Sequence, residues 1–284
     1  MYQKKNKAKK VTLEPAIKRN DCRGSAVKSY LWRRMYSGAF LGHALRNMYE
    51  KIPGMFYTRF RVHMGVKEED RIMKLYLVRH GETDWNKAKR IQGQVDIPLN
   101  QFGKHLAKET AEGLRDVPFD LCVSSPLSRA HETARIILDG RDIPIIKDAR
   151  IGEMAFGEYE GKCCARDNWE LPEGFHKFFN DPAGYVPGKD GESFADVKKR
   201  TGEFLEALKK KGEDLYDNVL ITTHGAALAG ILNNIRKEPL EQYWGIGVHS
   251  NCGVTEVEIK DGEAKILSEN VTYYEEAVRP WADK

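Results

Sequence analysis

Leu77-Val78-Arg79-His80-Gly81-Glu82-Thr83 joins an apolar, strand-like run that starts at Leu75 to an Arg-His-Gly turn. A cation and an imidazole therefore emerge together from the end of a buried strand, and glycine beside them lets a ligand approach the backbone. Such a turn can hold phosphate. Met73 stands just ahead of this strand, and from there onward the pattern is regular.

Lys74–Val78 reads as a strand, Gln101–Leu114 as a helix, Asp120–Val123 as a strand, and Pro126–Leu138 as a helix opened by proline and capped by Ser125. A short strand is expected over Ile143–Ile146. Residues 163–191, rich in aromatics, Gly and Pro, read as irregular and as a lid. The stripe Phe194, Val197, Phe204, Leu205 and Leu208 then marks a helix over Ser193–Lys211 whose apolar face is core. Asn218–Thr222 is a strand that ends in Thr223-His224-Gly225. A helix over Ala226–Ile235 follows it, then the strands Thr255–Ile259 and Ala264–Glu269 around the Asp261-Gly262 turn. This alternation predicts a three-layer α/β/α domain with a mainly parallel central sheet and a ligand site at the carboxyl ends of its strands.

The chain has 284 residues and is 41% hydrophobic, enough for at least one full-sized core. No apolar run reaches the ~20 residues that a bilayer span needs, so a soluble protein without a membrane partner is expected. The net charge of +4 conceals two kinds of polypeptide. Residues 1–72 carry 17 basic and 6 acidic side chains, the remainder 29 and 36. The basic stretch reads as a poorly ordered extension, or as a start placed too early with Met73 as the true beginning. The functional alternative, an arm for nucleic acid or anionic membrane or an Arg-rich transit peptide, lacks any recognised binding module, and no nucleic-acid partner is expected. Five cysteines, an odd number with only the vicinal pair Cys163-Cys164 close together, suggest free thiols in a reducing cytoplasm.

His80 and His224 share one setting, a hydrophobic strand before and a glycine after. The other histidines, His43, His63, His105, His131, His176 and His249, read as structural. Arg79 adjoins His80, and Arg129 lies in the first turns of the helix after Ser124-Ser125-Pro126, where free N–H groups already favour an anion. Two guanidiniums can clamp a phosphoryl group bidentately. No His/Cys set has the ligand spacing of a zinc site, so neither a metal nor a cofactor is expected.

With these residues, the chain resembles the histidine phosphatase superfamily, also called phosphoglycerate mutase-like. The resemblance is carried by Leu77 to Asn86, Arg90-Ile91-Gln92-Gly93 through Asp96 to Leu99, Ser124-Ser125-Pro126-Leu127-Ser128-Arg129-Ala130 with Thr133-Ala134, Glu153 with Phe156-Gly157 and Glu160-Gly161, and Thr223-His224-Gly225. It spans Met73 to about Val254 and resembles the family's small bacterial phosphatases most. The resemblance implies a histidine phosphatase domain over residues 73–284. It also implies that His80 is a nucleophile forming a phosphohistidine, and that Arg79, Arg129 and His224 hold the phosphoryl oxygens. Glu153 is implied as the proton donor to the leaving oxygen, with Glu158 and Glu160 as neighbouring alternatives. Asn86, Gln92, Gly93, Thr83 and Gly225 are expected in substrate binding.

The expected activity is hydrolysis of a small phosphorylated metabolite, metal-independent, with rates falling at alkaline pH as Glu153 deprotonates and at acid pH as His80 gains a proton. A cofactor-dependent phosphoglycerate mutase is the alternative. The family's mutases usually carry a longer insertion with adjacent arginines, whereas residues 161–192 contain Lys162, Arg166, Lys177 and Lys189 but no Arg pair. A non-catalytic phospholigand-binding protein is the third reading. Trp169, Phe175, Phe178 and Tyr185 are expected either to line a pocket for the leaving group or to pack among themselves.

Overall fold

The computed structural model describes residues 71–212 and 215–274. His43, His63 and the basic extension up to residue 70, with the roles expected of them, lie outside these residues. A six-stranded sheet has the order β3-β2-β6-β1-β7-β8. Its strands are β1 (Met73–Arg79), β2 (Leu121–Ser124), β3 (Ile145–Lys147), β6 (Asn218–Thr223), β7 (Val254–Lys260) and β8 (Glu263–Val271). β3, β2, β6 and β1 run parallel, and β7 and β8 close one edge antiparallel. The expected mainly parallel α/β/α architecture is therefore present.

Alternation along β1 explains the layers, because successive side chains of a strand face opposite ways. Met73, Leu75 and Leu77 join Val219, Ile221, Val257 and Ile259 in one core, with Phe204, Leu205, Leu228 and Ile231 from two helices. Tyr76 and Val78 join Cys122, Leu220 and Val254 on the opposite face, against Leu114, Ala134, Ile137 and Leu138. A short helix α1 (Asp84–Lys87) follows β1. α2 (Gln101–Gly113) and α3 (Ser128–Leu138) supply the second layer. α4 (Lys177–Asn180) belongs to the 163–191 stretch, and α5 (Phe194–Gly212) and α6 (Gly225–Arg236) supply the first layer.

Two expectations about local structure need correction. α3 begins at Ser128 rather than Pro126, and Ser125 does not cap it, because the Ser125 hydroxyl is hydrogen-bonded to the His224 ring. Asp96 does the capping from a neighbouring loop, accepting from the Ser128 N–H and hydroxyl, both at 2.8 Å. The stretch 163–191 is more ordered than its sequence suggests. It contains a two-stranded hairpin, β4 (Cys164–Ala165) and β5 (Asn168–Trp169), with α4 and several 3₁₀ turns. Its aromatics pack on one another: Phe178 meets Phe156, Phe175, Tyr185, Phe194 and Trp244 with ring centroids 5.1–5.6 Å apart. Phe175, Phe178 and Tyr185 are buried in that cluster, which leaves self-packing as their role.

Among the described residues, no helix is long and apolar enough to cross a membrane. Cys122, Cys163, Cys164 and Cys252 are buried, unbridged thiols.

Candidate active site

Strand register puts the site together. Arg79 at the end of β1 lies opposite Thr223 at the end of β6, so the residues that follow, His80 and His224, stand side by side. Their ring centroids are 5.0 Å apart. On the other side of β6, Ser124 pairs with Thr222, which brings Ser125 and the start of α3 to the same sheet end.

His80 is buried, and its Nδ1 lies 2.7 Å from the Gly81 carbonyl oxygen. A carbonyl can only accept, so Nδ1 carries the proton and Nε2 keeps its lone pair. Burial is the largest cause holding the His80 imidazolium well below pH 6.5, and the Arg129 and Arg79 charges add to it against the pull of the Gly81 bond. The ring is neutral at pH 7. His224 is fully buried and is likewise depressed, first by burial and then by Arg129, His80 and Arg79. Its Nε2 is 2.7 Å from the Ser125 Oγ, while its Nδ1 is buried and has no partner. That Oγ also accepts from the Leu127 N–H, and its hydroxyl proton can point to His224 Nε2, the arrangement in which Nδ1 carries a proton as a free donor.

Arg79 Nη1 donates to the His249 carbonyl at 2.6 Å, and Arg79 Nε has no partner. Burial lowers its pKa to about 10 despite the opposing charge of Glu153, so it stays cationic at neutral pH. Arg129, 0% exposed, donates from Nη1 to the Val95 carbonyl at 2.9 Å and from Nη2 to the Gly93 carbonyl at 2.7 Å. Its Nε is buried and unpaired. Unpaired guanidinium N–H groups in a buried pocket are expensive unless a ligand takes them up.

Glu153 reaches the amino end of α6. Its Oε1 accepts from the backbone N–H groups of Met154 (2.9 Å), Ala226 (3.1 Å) and Ala227 (3.3 Å). A Cβ placed on Gly225 would lie 3.7 Å from Glu153 Oε2 and 3.8 Å from Arg79 Nε, so this glycine opens onto both. Three anchors fix the Glu153 loop. Thr223 Oγ1 donates to the Ile151 carbonyl, and Arg200 Nη1 donates to the carbonyls of Arg150 and Gly152. Arg200 Nη2 adds a bond to the Glu153 carbonyl.

The remaining residues expected in substrate binding divide. Thr83, fully buried, caps α1 and exchanges hydrogen bonds with Asn86, so it positions Asn86 through the helix cap. Asn86 spends its Oδ1 on Thr83. Gln92 is buried with its Oε1 unpaired, and Gly93, at φ +55°, gives its carbonyl to Arg129. Glu158 accepts from the Lys189 N–H through Oε1 alone, whereas Glu160 accepts from three backbone N–H groups through both oxygens, so it is Glu160 that has no oxygen left for a substrate. Residues not expected in the site also belong here: Ser125 at His224, Thr133 on the Gly81 N–H, and Asn251, whose Nδ2 donates to the His80 carbonyl at 2.8 Å. Ser125 and Thr133 lie in segments that carried the resemblance, whereas nothing around Asn251 in the sequence marks it.

Fold and site define a three-layer α/β/α protein with buried cationic and imidazole side chains gathered at the carboxyl ends of its strands. The chain belongs to the histidine phosphatase superfamily, branch 1, whose pattern matches residues 75–272. It is 30% identical over 201 residues to phosphoserine phosphatase 1 of Hydrogenobacter thermophilus, an alignment that covers 71% of this chain and 93% of the relative. It is 32% identical over 192 residues to a Proteus mirabilis protein named probable phosphoglycerate mutase GpmB, covering 67% and 86%. The solved structure of Bacillus stearothermophilus YhfR superposes with a TM-score of 0.66 at 34% identity, covering 72% of this chain and all of that one.

Proposed function

We propose that the chain is a phosphomonoesterase that works through a phosphohistidine on His80 and needs no metal. The observation that carries this reading is the bond from His80 Nδ1 to the Gly81 carbonyl, which directs the lone pair to Nε2 in a ring kept neutral by burial and two guanidiniums. Nε2 attacks phosphorus and the P–O bond to the ester oxygen breaks. Glu153 gives that oxygen its proton, and the alcohol leaves. Water then attacks phosphorus as Glu153 takes its proton. The P–N bond breaks, and orthophosphate departs with His80 restored. Arg79 and Arg129 Nε and His224 Nδ1, each buried without a partner, are the donors available to the equatorial oxygens, where charge spreads in the transition state.

Incubation with an aryl phosphate in the presence of a chelator tests the reading. Steady turnover is expected, with kcat reduced on the order of 10³-fold or more in His80→Ala, and an acid-labile phosphoenzyme trapped in the wild type alone. Absence of turnover, or its loss on chelation, would sink the proposal. The relative named as a mutase motivates a parallel assay with 3-phosphoglycerate and catalytic 2,3-bisphosphoglycerate. Phosphate release is expected there, because residues 161–192 offer no adjacent arginines for a glycerate carboxylate; 2-phosphoglycerate without free phosphate would establish the mutase instead.

A further inference from the structure

Glu160 lies seven residues beyond Glu153 and is spoken for at both oxygens. Oε1 accepts from the N–H groups of Gln94 at 2.9 Å and Phe156 at 3.0 Å, and Oε2 accepts from the Val95 N–H at 2.9 Å. The carbonyls of the same short loop receive Arg129, Gly93 O from Nη2 and Val95 O from Nη1. Gly93 O and Gln94 N–H belong to one peptide unit. That unit therefore lies between a carboxylate on its N–H end and a guanidinium on its C=O end, and each charge polarises the amide in the sense that strengthens the other bond.

Packing around the loop fits the same purpose. Gly93 has φ +55°, and a Cβ there would fall 2.0 Å from Glu160 Oε1, so the carboxylate is seated against a backbone that only glycine can supply. Arg129 is fully buried and, among the described residues, has no other hydrogen-bond acceptor for its two terminal nitrogens. Its unpaired Nε is aimed wherever the loop carbonyls set the plane of the guanidinium.

We propose that Glu160 is a positioning residue for Arg129, acting through the Gly93–Gln94 and Val95 peptides that it holds in place. The proposal rests on the reading of Arg129 as a phosphate clamp. Glu160 itself touches no substrate. Removing it leaves the N–H groups of Gln94, Val95 and Phe156 without their acceptor, so the loop relaxes and the Arg129 fork loses its fixed carbonyls. Phosphate then meets a guanidinium that must be oriented on binding, which weakens affinity without altering the nucleophile.

A double-mutant cycle on the binding of inorganic phosphate, measured by calorimetry on the full chain, reads this coupling without requiring turnover. Glu160→Ala is expected to weaken phosphate binding roughly tenfold beside a native Arg129, and less than about twofold in an Arg129→Ala background. Glu160→Gln keeps Oε1 for two of the N–H groups but sets an amide N–H against Val95, so roughly threefold is expected. This isosteric variant carries the cycle alone should Glu160→Ala fail to fold. Equal losses in both backgrounds, or native phosphate affinity in a folded Glu160 variant, would overturn the positioning role and leave the clamp standing. Native phosphate affinity in Arg129→Ala would overturn the clamp, and this proposal with it.

Discussion

His80 illustrates how one hydrogen bond settles the chemistry of a residue. With Nδ1–H committed to Gly81, protonation can occur only at Nε2, the nitrogen proposed to attack, and burial together with Arg129 and Arg79 opposes it. The sign follows directly. Because the pKa is lowered, the neutral form persists below 6.5, and kcat/KM for an aryl phosphate should hold steady as pH falls through 6.5, with its acid limb lying lower. Two esters with different second ionisations separate this limb from that of the substrate. A limb centred at 6.5 or above for both esters would contradict the environment described for His80. This residue was legible in the sequence because strand, histidine and glycine are neighbours in the chain. Ser125, Asn251 and Arg200 were not, since each acts through a bond to a residue 47 to 171 positions away, and no local pattern records such a bond.

Among the elements, α2 shows why its amino end must be glycine-bearing. A glycine in the first turn of a helix ordinarily gains stability when replaced by alanine, by up to about 1 kcal/mol. Gly103 is different. A Cβ there would lie 2.1 Å from the carbonyl oxygen of Glu82 and 2.5 Å from its nitrogen, both backbone atoms of the turn that follows His80. Gly103→Ala should therefore destabilise the fold by roughly 1–3 kcal/mol, as overpacking of a tight site does, and disturb the His80 turn as well. Urea unfolding of this variant checks the sign; a stabilised Gly103→Ala would refute the close approach. The four long helices were legible to within two residues at each end. α3 departs in its cap, because Ser125-Pro126 has the form of a cap and helix start while the serine is drawn away to His224 and Asp96 supplies the cap from 32 residues upstream.

At the scale of the whole molecule, the alternation of strands and helices disclosed the layered architecture, since each strand carries its own burial pattern. The strand order was beyond it: β6 sits between β2 and β1, a pairing that no single segment encodes. The aromatic cluster around Phe178 was also obscure, because its rings pack in three dimensions without a helical or strand period. Assembling the site in this interior leaves the protein with an acid liability. His80, His224 and His249 are all held below 6.5, each chiefly by burial. His249, facing Glu269 with Arg236 and Arg79 nearby, falls to about 4 because the carboxylate only partly offsets burial and the two guanidiniums. Above pH 6.5 these rings are neutral in both folded and unfolded chains, and stability is at its full value. As pH falls below 6.5 the unfolded chain takes up protons that the folded one refuses, so stability declines until the folded pKa is reached. For His249 the gap amounts to about 2 kcal/mol by pH 5, at about 1.36 kcal/mol per pH unit below 6.5. The carboxylates with lowered pKa values, Asp148 and Asp196 below 3.8 and Glu170 below 4.5, titrate under pH 5 and leave this window to the histidines. Urea unfolding at pH 7.5 and pH 5.0 should show that loss. In His249→Gln the difference between the two pH values should shrink by about 2 kcal/mol, even where the variant is less stable at both, because Arg79 is anchored to the backbone carbonyl of residue 249 and keeps its bond. An equal drop in wild type and variant would show that His249 takes no part in the acid response.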